Sequence, residues 1–193
     1  MLGLTRIKRM KIHQLSVTYL REQDRLLVRI NTSDAEELRL WFTRRLMLEL
    51  WPMMHKVLTD QLVSLESSIT SGAAADEDMK QMLADFRKQE LLREADFDTP
   101  YNEQQARLPL GEEPLLVTDL TITHLAGNMV ALEFIENPPG GDNPRSFRLE
   151  LDPPLMQGFV HLVDQALTQA SWNMPPRLRN IATEPPQKSR YLN

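Results

Sequence analysis

The sequence predicts an α+β protein made by tandem duplication. Two βββα units, each an antiparallel sheet followed by an amphipathic helix, pack as one pseudo-twofold domain with an extra helix in the middle. Three observations carry this expectation. Leu15-Ser16-Val17-Thr18-Tyr19-Leu20 is echoed by Leu120-Thr121-Ile122-Thr123-His124-Leu125. Each copy runs on into two more alternating stretches, and then into a capped segment of helical period. The strands are separated by short polar turns, which join antiparallel neighbours and are too short for parallel crossovers.

The first strand alternates Leu15, Val17 and Tyr19 with Gln14, Ser16 and Thr18, and the polar turn Arg21 to Asp24 ends it. Leu26, Val28 and Ile30 give a second strand. Asn31 to Asp34 supply the next turn, because Asn, Asp and Ser bond their own backbones. Leu38, Leu40 and Phe42 face inward on a third. Thr43 then caps a helix with the stripe Leu46, Leu50, Met53, Met54, Val57, Leu58, Leu62 and Leu65. Pro52 lies inside it. The stripe stays in phase across the proline, so a kinked but continuous helix is expected.

In the second copy Leu120, Ile122 and His124 take the places of Leu15, Val17 and Tyr19, which predicts a hydrogen-bonded core histidine at 124. Val130, Leu132 and Phe134 match Leu26, Val28 and Ile30; Phe147, Leu149 and Leu151 match Leu38, Leu40 and Phe42. The extra length falls in the Pro- and Gly-rich loop Asn137 to Pro144. Asp152 stands as helix cap with Pro153 at the first helical position, where proline is welcome. Leu155, Phe159, Leu162, Val163, Ala166 and Ala170 form the stripe.

Between the copies, Glu66 to Ala75 reads as a flexible link. Asp76 to Ala95 reads as an acidic helix with Met79, Met82, Leu83 and Phe86 on one side, and Tyr101 to Pro114 as extended connection. The methionine-bearing stripes, Met53, Met54, Met79 and Met82 among them, are expected to be ordinary core. The chain thus divides into a first repeat at 12–65, a linker with the middle helix at 66–116, a second repeat at 117–172 and a basic tail at 173–193.

Composition bounds the function. The 193 residues carry a net charge of −5 and no cysteine, which excludes disulfides, thiol catalysis and thiolate metal sites. No stretch is apolar enough to span a membrane and the amino terminus lacks an apolar signal region, so a cytoplasmic protein without membrane contact is expected. Met10 is an alternative start. His13, His55, His124 and His161 lack the spacing of a metal-binding helix, and neither a nucleophile elbow nor a phosphate-cradling glycine loop is present. The expectation is therefore a non-enzymatic protein with no cofactor, no metal and no catalytic residues.

Charge is uneven: residues 1–56 are net basic and residues 57–113 net acidic. With the apolar positions of the strands facing the helices, Arg25, Arg29, Arg39 and Trp41 share the opposite face of the first sheet, and Arg44 and Arg45 follow just beyond. These six are the candidate binding residues. Arginine neutralises phosphate and an indole stacks on any base, so the face suits single-stranded DNA or RNA. At the matching positions of the second copy Arg29 becomes Glu133 and Trp41 becomes Glu150, an exchange of sign that favours protein association, as a homo-oligomer or with a protein partner. Association is the leading reading and nucleic acid the alternative.

The order of strands and helix resembles the Whirly and Pur-repeat single-stranded-nucleic-acid binders, in which two sheet-plus-helix copies pack with their helices together. The likeness covers the two repeats and omits the middle helix. Those families usually carry four strands per copy, whereas three are clear here, and no binding residue carries over.

Overall fold

Alternation of apolar and polar side chains settles which way each strand faces, and the structure follows it in both halves. The computed structural model describes residues 11–69, 77–97, 99–102, 106–140 and 144–174. The strands are β1 (Ile12–Leu20), β2 (Arg25–Thr32), β3 (Glu37–Thr43), β4 (Leu115–Leu116), β5 (Asp119–His124), β6 (Val130–Glu136) and β7 (Arg145–Leu151). The helices are α1 (Arg44–Ile69), α2 (Glu77–Glu94) and α3 (Pro153–Ala170). The fold is α+β with two sheets, ordered β1-β2-β3-β4 and β5-β6-β7.

Register matches between the halves. Val28 sits opposite Val17 and Leu40, and Leu132 sits opposite Ile122 and Leu149. Ile30 faces Leu15 and Leu38, as Phe134 faces Leu120 and Phe147. The inward residues of β2, β3, β6 and β7 are buried and belong to one apolar core with the helices. Full burial of each such side chain contributes about 1.5–3 kcal/mol. Phe42 joins the halves, with its ring centroid 5.7 Å from Phe134 and 6.4 Å from Phe159.

Both helix starts are capped as the sequence predicts. Thr43 Oγ1 accepts from the Leu46 amide at 3.2 Å, and Asp152 Oδ1 accepts from the Leu155 amide at 2.9 Å, with Pro153 opening α3. α1 runs unbroken through Pro52. Its buried face includes Met47 and Trp51, while Met53 is exposed. Farther along, the Gln61 amide donates to the carbonyls of Asn128 and Leu151, and Ser64 donates to Asn128, so the first helix is pinned to the second unit's turn.

Four expectations need correction. The first sheet has a fourth strand: β4 runs parallel to β3, pairing Leu40 with Leu115 and Trp41 with Leu116. The Val117 amide donates to Trp41 and the next amide, Thr118, donates to Ile135, so the chain changes sheets between adjacent residues. His124 is exposed and not core, because β5 is an edge strand whose end no helix covers among the described residues. The middle helix does not bury its methionines either: Met82 is 73% and Phe86 65% exposed, and the side that packs inward carries Ala84. Finally, α1 extends to Ile69 into the expected link. Residues 70–75 of that link, Asp76 at the expected start of the middle helix, and 175–193 of the basic tail lie outside the described residues.

Candidate functional site

Seen from the side away from the helices, the first sheet presents four rows, the first of them Gln14, Asn31 and Glu37. Ser16, Arg29 and Arg39 form the second, and Thr18, Leu27, Trp41 and Leu116 the third; Leu20, Arg25 and Thr43 close the face near the start of α1. The structure thus brings Arg25, Arg29, Arg39 and Trp41 onto one face. Arg44 and Arg45 stand exposed just beyond it on the first turn of α1.

Arg29 and Arg39 are direct cross-strand neighbours, a like-charge pair that destabilises a sheet unless it is screened. The screening comes from the connector after α2. The Arg29 guanidinium carbon lies 4.4 Å from the Tyr101 ring centroid, a cation–π contact. Arg39 donates to the Glu112 carbonyl and lies 3.7 Å from the Glu37 carboxylate, which also accepts from the Tyr101 hydroxyl at 3.2 Å. Around this pair the backbone is tied down. Asn31 donates to the Asn102 carbonyl at 2.9 Å, and Gln14 donates to Pro100 and accepts from the Asn102 amide. Arg107 bridges by backbone bonds to Ala35 and Glu37 and by a 2.8 Å ion pair to Glu36. Part of the basic face is therefore covered by the chain itself.

The other part is open. Arg25, Leu27, Trp41 and Leu116 are half-buried, and Arg25, Arg44 and Arg45 make no ion pair among the described residues. Sequence reasoning missed Leu116, because two residues carry no alternation to recognise. It read Tyr101 to Pro114 as extended connection but did not foresee that this segment covers Arg29 and Arg39.

The second sheet differs in charge. Glu133 sits between Thr121 and Arg148 on its outer side, without a partner among the described residues, and Arg148 lies 3.5 Å from Glu150. Arg145 at the start of β7 pairs with Glu136 and donates to the carbonyls of Leu110 and Glu113, so the connector grips both sheets.

The histidines do not converge. Among the described residues no group of three His, Asp or Glu side chains is placed to hold a metal ion, and no helix is long and apolar enough to cross a membrane. No family model, curated protein or solved structure matches the chain.

Proposed function

We propose that this is a binding and assembly protein whose copies associate through the open part of the first sheet's outer face. One observation carries the reading: Trp41 lies half-exposed between Leu27 and Leu116, flanked by three arginines that meet no acid of their own chain among the described residues. Tryptophan and arginine are the side chains most enriched at interface anchors. The complementary surface is the second sheet's outer face, where Glu133 and Glu150 flank a single arginine, Arg148, and Glu133 makes no direct ion pair among the described residues. Basic sheet on acidic sheet is a head-to-tail contact, so charge fixes its orientation and salt weakens it.

The same reading includes the duplication. Matching strand order, register and capping support descent of residues 12–65 and 117–172 from one βββα unit, related by a pseudo-twofold axis. After doubling, one sheet kept basic outward positions and the other gained acids, which is how a single unit acquires two complementary faces.

Sedimentation velocity tests it. The wild-type chain is expected to sediment as an oligomer at micromolar concentration, and Trp41→Ala to weaken association by about 2 kcal/mol or more, some thirtyfold. A wild-type monomer across the range contradicts the reading. The alternative, single-stranded DNA or RNA on the same face, is favoured by the indole beside uncompensated arginines; fluorescence polarisation of a labelled oligonucleotide at two salt concentrations distinguishes it.

A further inference from the structure

β7 is an open edge of the second sheet. It pairs with β6 without interruption from Arg145 to Leu151, and no described strand pairs with its other side. Such an edge leaves every second backbone N–H and C=O without a ladder partner and is a template for one more strand. The corresponding strand of the first unit, β3, is not left so. There β4 adds in parallel and sets Leu116 opposite Trp41. The next residue, Val117, is buried, and its amide donates to the Trp41 carbonyl.

β4 is supplied by the residues just ahead of β5. Under the duplication, on which this inference rests, the matching supply for β7 is the chain just ahead of β1. The two approaches are alike. Thr118 is held to β6 by its amide on the Ile135 carbonyl, and the residues before it belong to the other sheet. Lys11 is held at the end of β2, its carbonyl accepting from the Ser33 amide. β2 turns away there, with the Ala35 amide donating to the Thr32 carbonyl, and the β1 ladder breaks register between Ile12 and Gln14. One residue back from Thr118 and from Lys11 stand Val117 and Met10; two residues back stand Leu116 and Arg9.

Trp41 of β3 corresponds to Glu150 of β7, so the same arrangement sets Arg9 opposite Glu150 and puts apolar Met10 where Val117 is buried. A cation facing an acid across neighbouring strands is a favourable pair. The charge of the whole segment agrees: Arg6, Lys8 and Arg9 come with no acid among residues 1–10, while the second sheet presents Glu133 and Glu150 on its outer face. Met1 to Met10 lie outside the described residues. We propose that the segment ending at Met10 adds in parallel to the open edge of β7 within its own chain, as β4 adds to β3, with Arg9 beside Glu150.

Nuclear magnetic resonance of the full chain tests this in the Arg44→Glu, Arg45→Glu background, where association through the first sheet does not contribute. The chain has no cysteine, so Ile7→Cys carries a single nitroxide label. Line broadening is expected to be strongest at β7 amides around Arg148. Arg9→Glu is expected to remove it, and adding Glu150→Arg to restore it. Deleting residues 1–9, so that the chain starts at Met10, is expected to speed hydrogen exchange at alternate β7 amides about fivefold or more and to leave β5 amides unchanged. Broadening that spares β7, its persistence in Arg9→Glu, or exchange indifferent to the deletion overturns the proposal. So does broadening found only on an isotope-labelled copy mixed with a spin-labelled one, which would assign the segment to a second copy. Sedimentation of the wild-type chain probes the other sheet, so this proposal and the association can fail separately.

Discussion

Tyr19 and His124 occupy the same place in the two units, opposite Leu26 and Val130 respectively, yet they live in different surroundings. Tyr19 packs edge-on against Trp172 at 5.9 Å, and its hydroxyl donates to Asp24 Oδ1 at 2.9 Å. The Trp172 indole N–H donates to the same carboxylate at 2.8 Å. The chain following α3 thus closes over the first unit's edge strand. Among the described residues the matching strand of the second unit has no such cover, and His124 is exposed. Equal register in the two units does not give equal burial. Burial is decided by what the neighbouring segment brings, and the connector after α2 and the segment after α3 both fall on the first sheet.

The largest test of that comparison attacks the joint. Phe42→Ala removes the ring that touches both Phe134 and Phe159, and is expected to cost about 3–5 kcal/mol. Because the core is shared, denaturation followed by near- and far-ultraviolet circular dichroism should still show one coincident transition. Two separated transitions would mean that the units fold independently.

Next in size is the cover on the first edge strand. Trp172→Phe keeps most of the packing but loses a hydrogen bond to a carboxylate, a loss of about 1.5–3 kcal/mol. Hydrogen exchange should accelerate at β1 amides and leave β5 amides unchanged. Equal acceleration in both strands would erase the asymmetry.

Smaller still is the connector. Tyr101→Ala removes the ring over Arg29, worth about 0.5–1 kcal/mol at an exposed site. Trypsin cleavage after Arg107 should speed up, because the segment's anchor on the sheet is weakened. Glu36→Gln, which breaks only the ion pair to Arg107, should change stability by about 0–1 kcal/mol. An effect of Glu36→Gln larger than that of Tyr101→Ala would place the anchor elsewhere.

The smallest effect is on titration. The hydrogen bond to the Asp24 carboxylate, helped by lost hydration and by that carboxylate's negative charge, raises the Tyr19 pKa above its usual value of 10.0. A phenol whose folded pKa is raised contributes its stability below the ordinary value and loses it as pH climbs through the raised one. Ultraviolet titration should therefore show Tyr19 ionising above the ordinary tyrosine value, and Asp24→Asn should bring it earlier.

Much of this architecture was legible in the residues. Period-two patterning placed all six inward positions of β2 and β3 correctly, and Thr43 and Asp152 announced the helix starts because capping chemistry is local. The outward set Arg25, Arg29, Arg39 and Trp41 followed from the same alternation. What alternation cannot convey is coverage. Tyr101, Glu112 and Arg107 reach the sheet from some 70 residues away along the chain, and nothing in their local pattern names Arg29, Arg39 or Glu36 as partners. Met82 and Phe86 fail for a related reason. A helical stripe predicts an apolar side but not whether a second layer exists to receive it, and here Ala84 faces inward instead.

Charge reversal with rescue tests the association most directly. On the proposed pairing of opposite faces, Arg44→Glu with Arg45→Glu should abolish self-association in sedimentation equilibrium, and adding Glu133→Arg should restore much of the lost affinity. Association indifferent to the double reversal, or a triple variant no tighter than the double, would contradict the pairing of the first sheet's basic margin with the second sheet's acid.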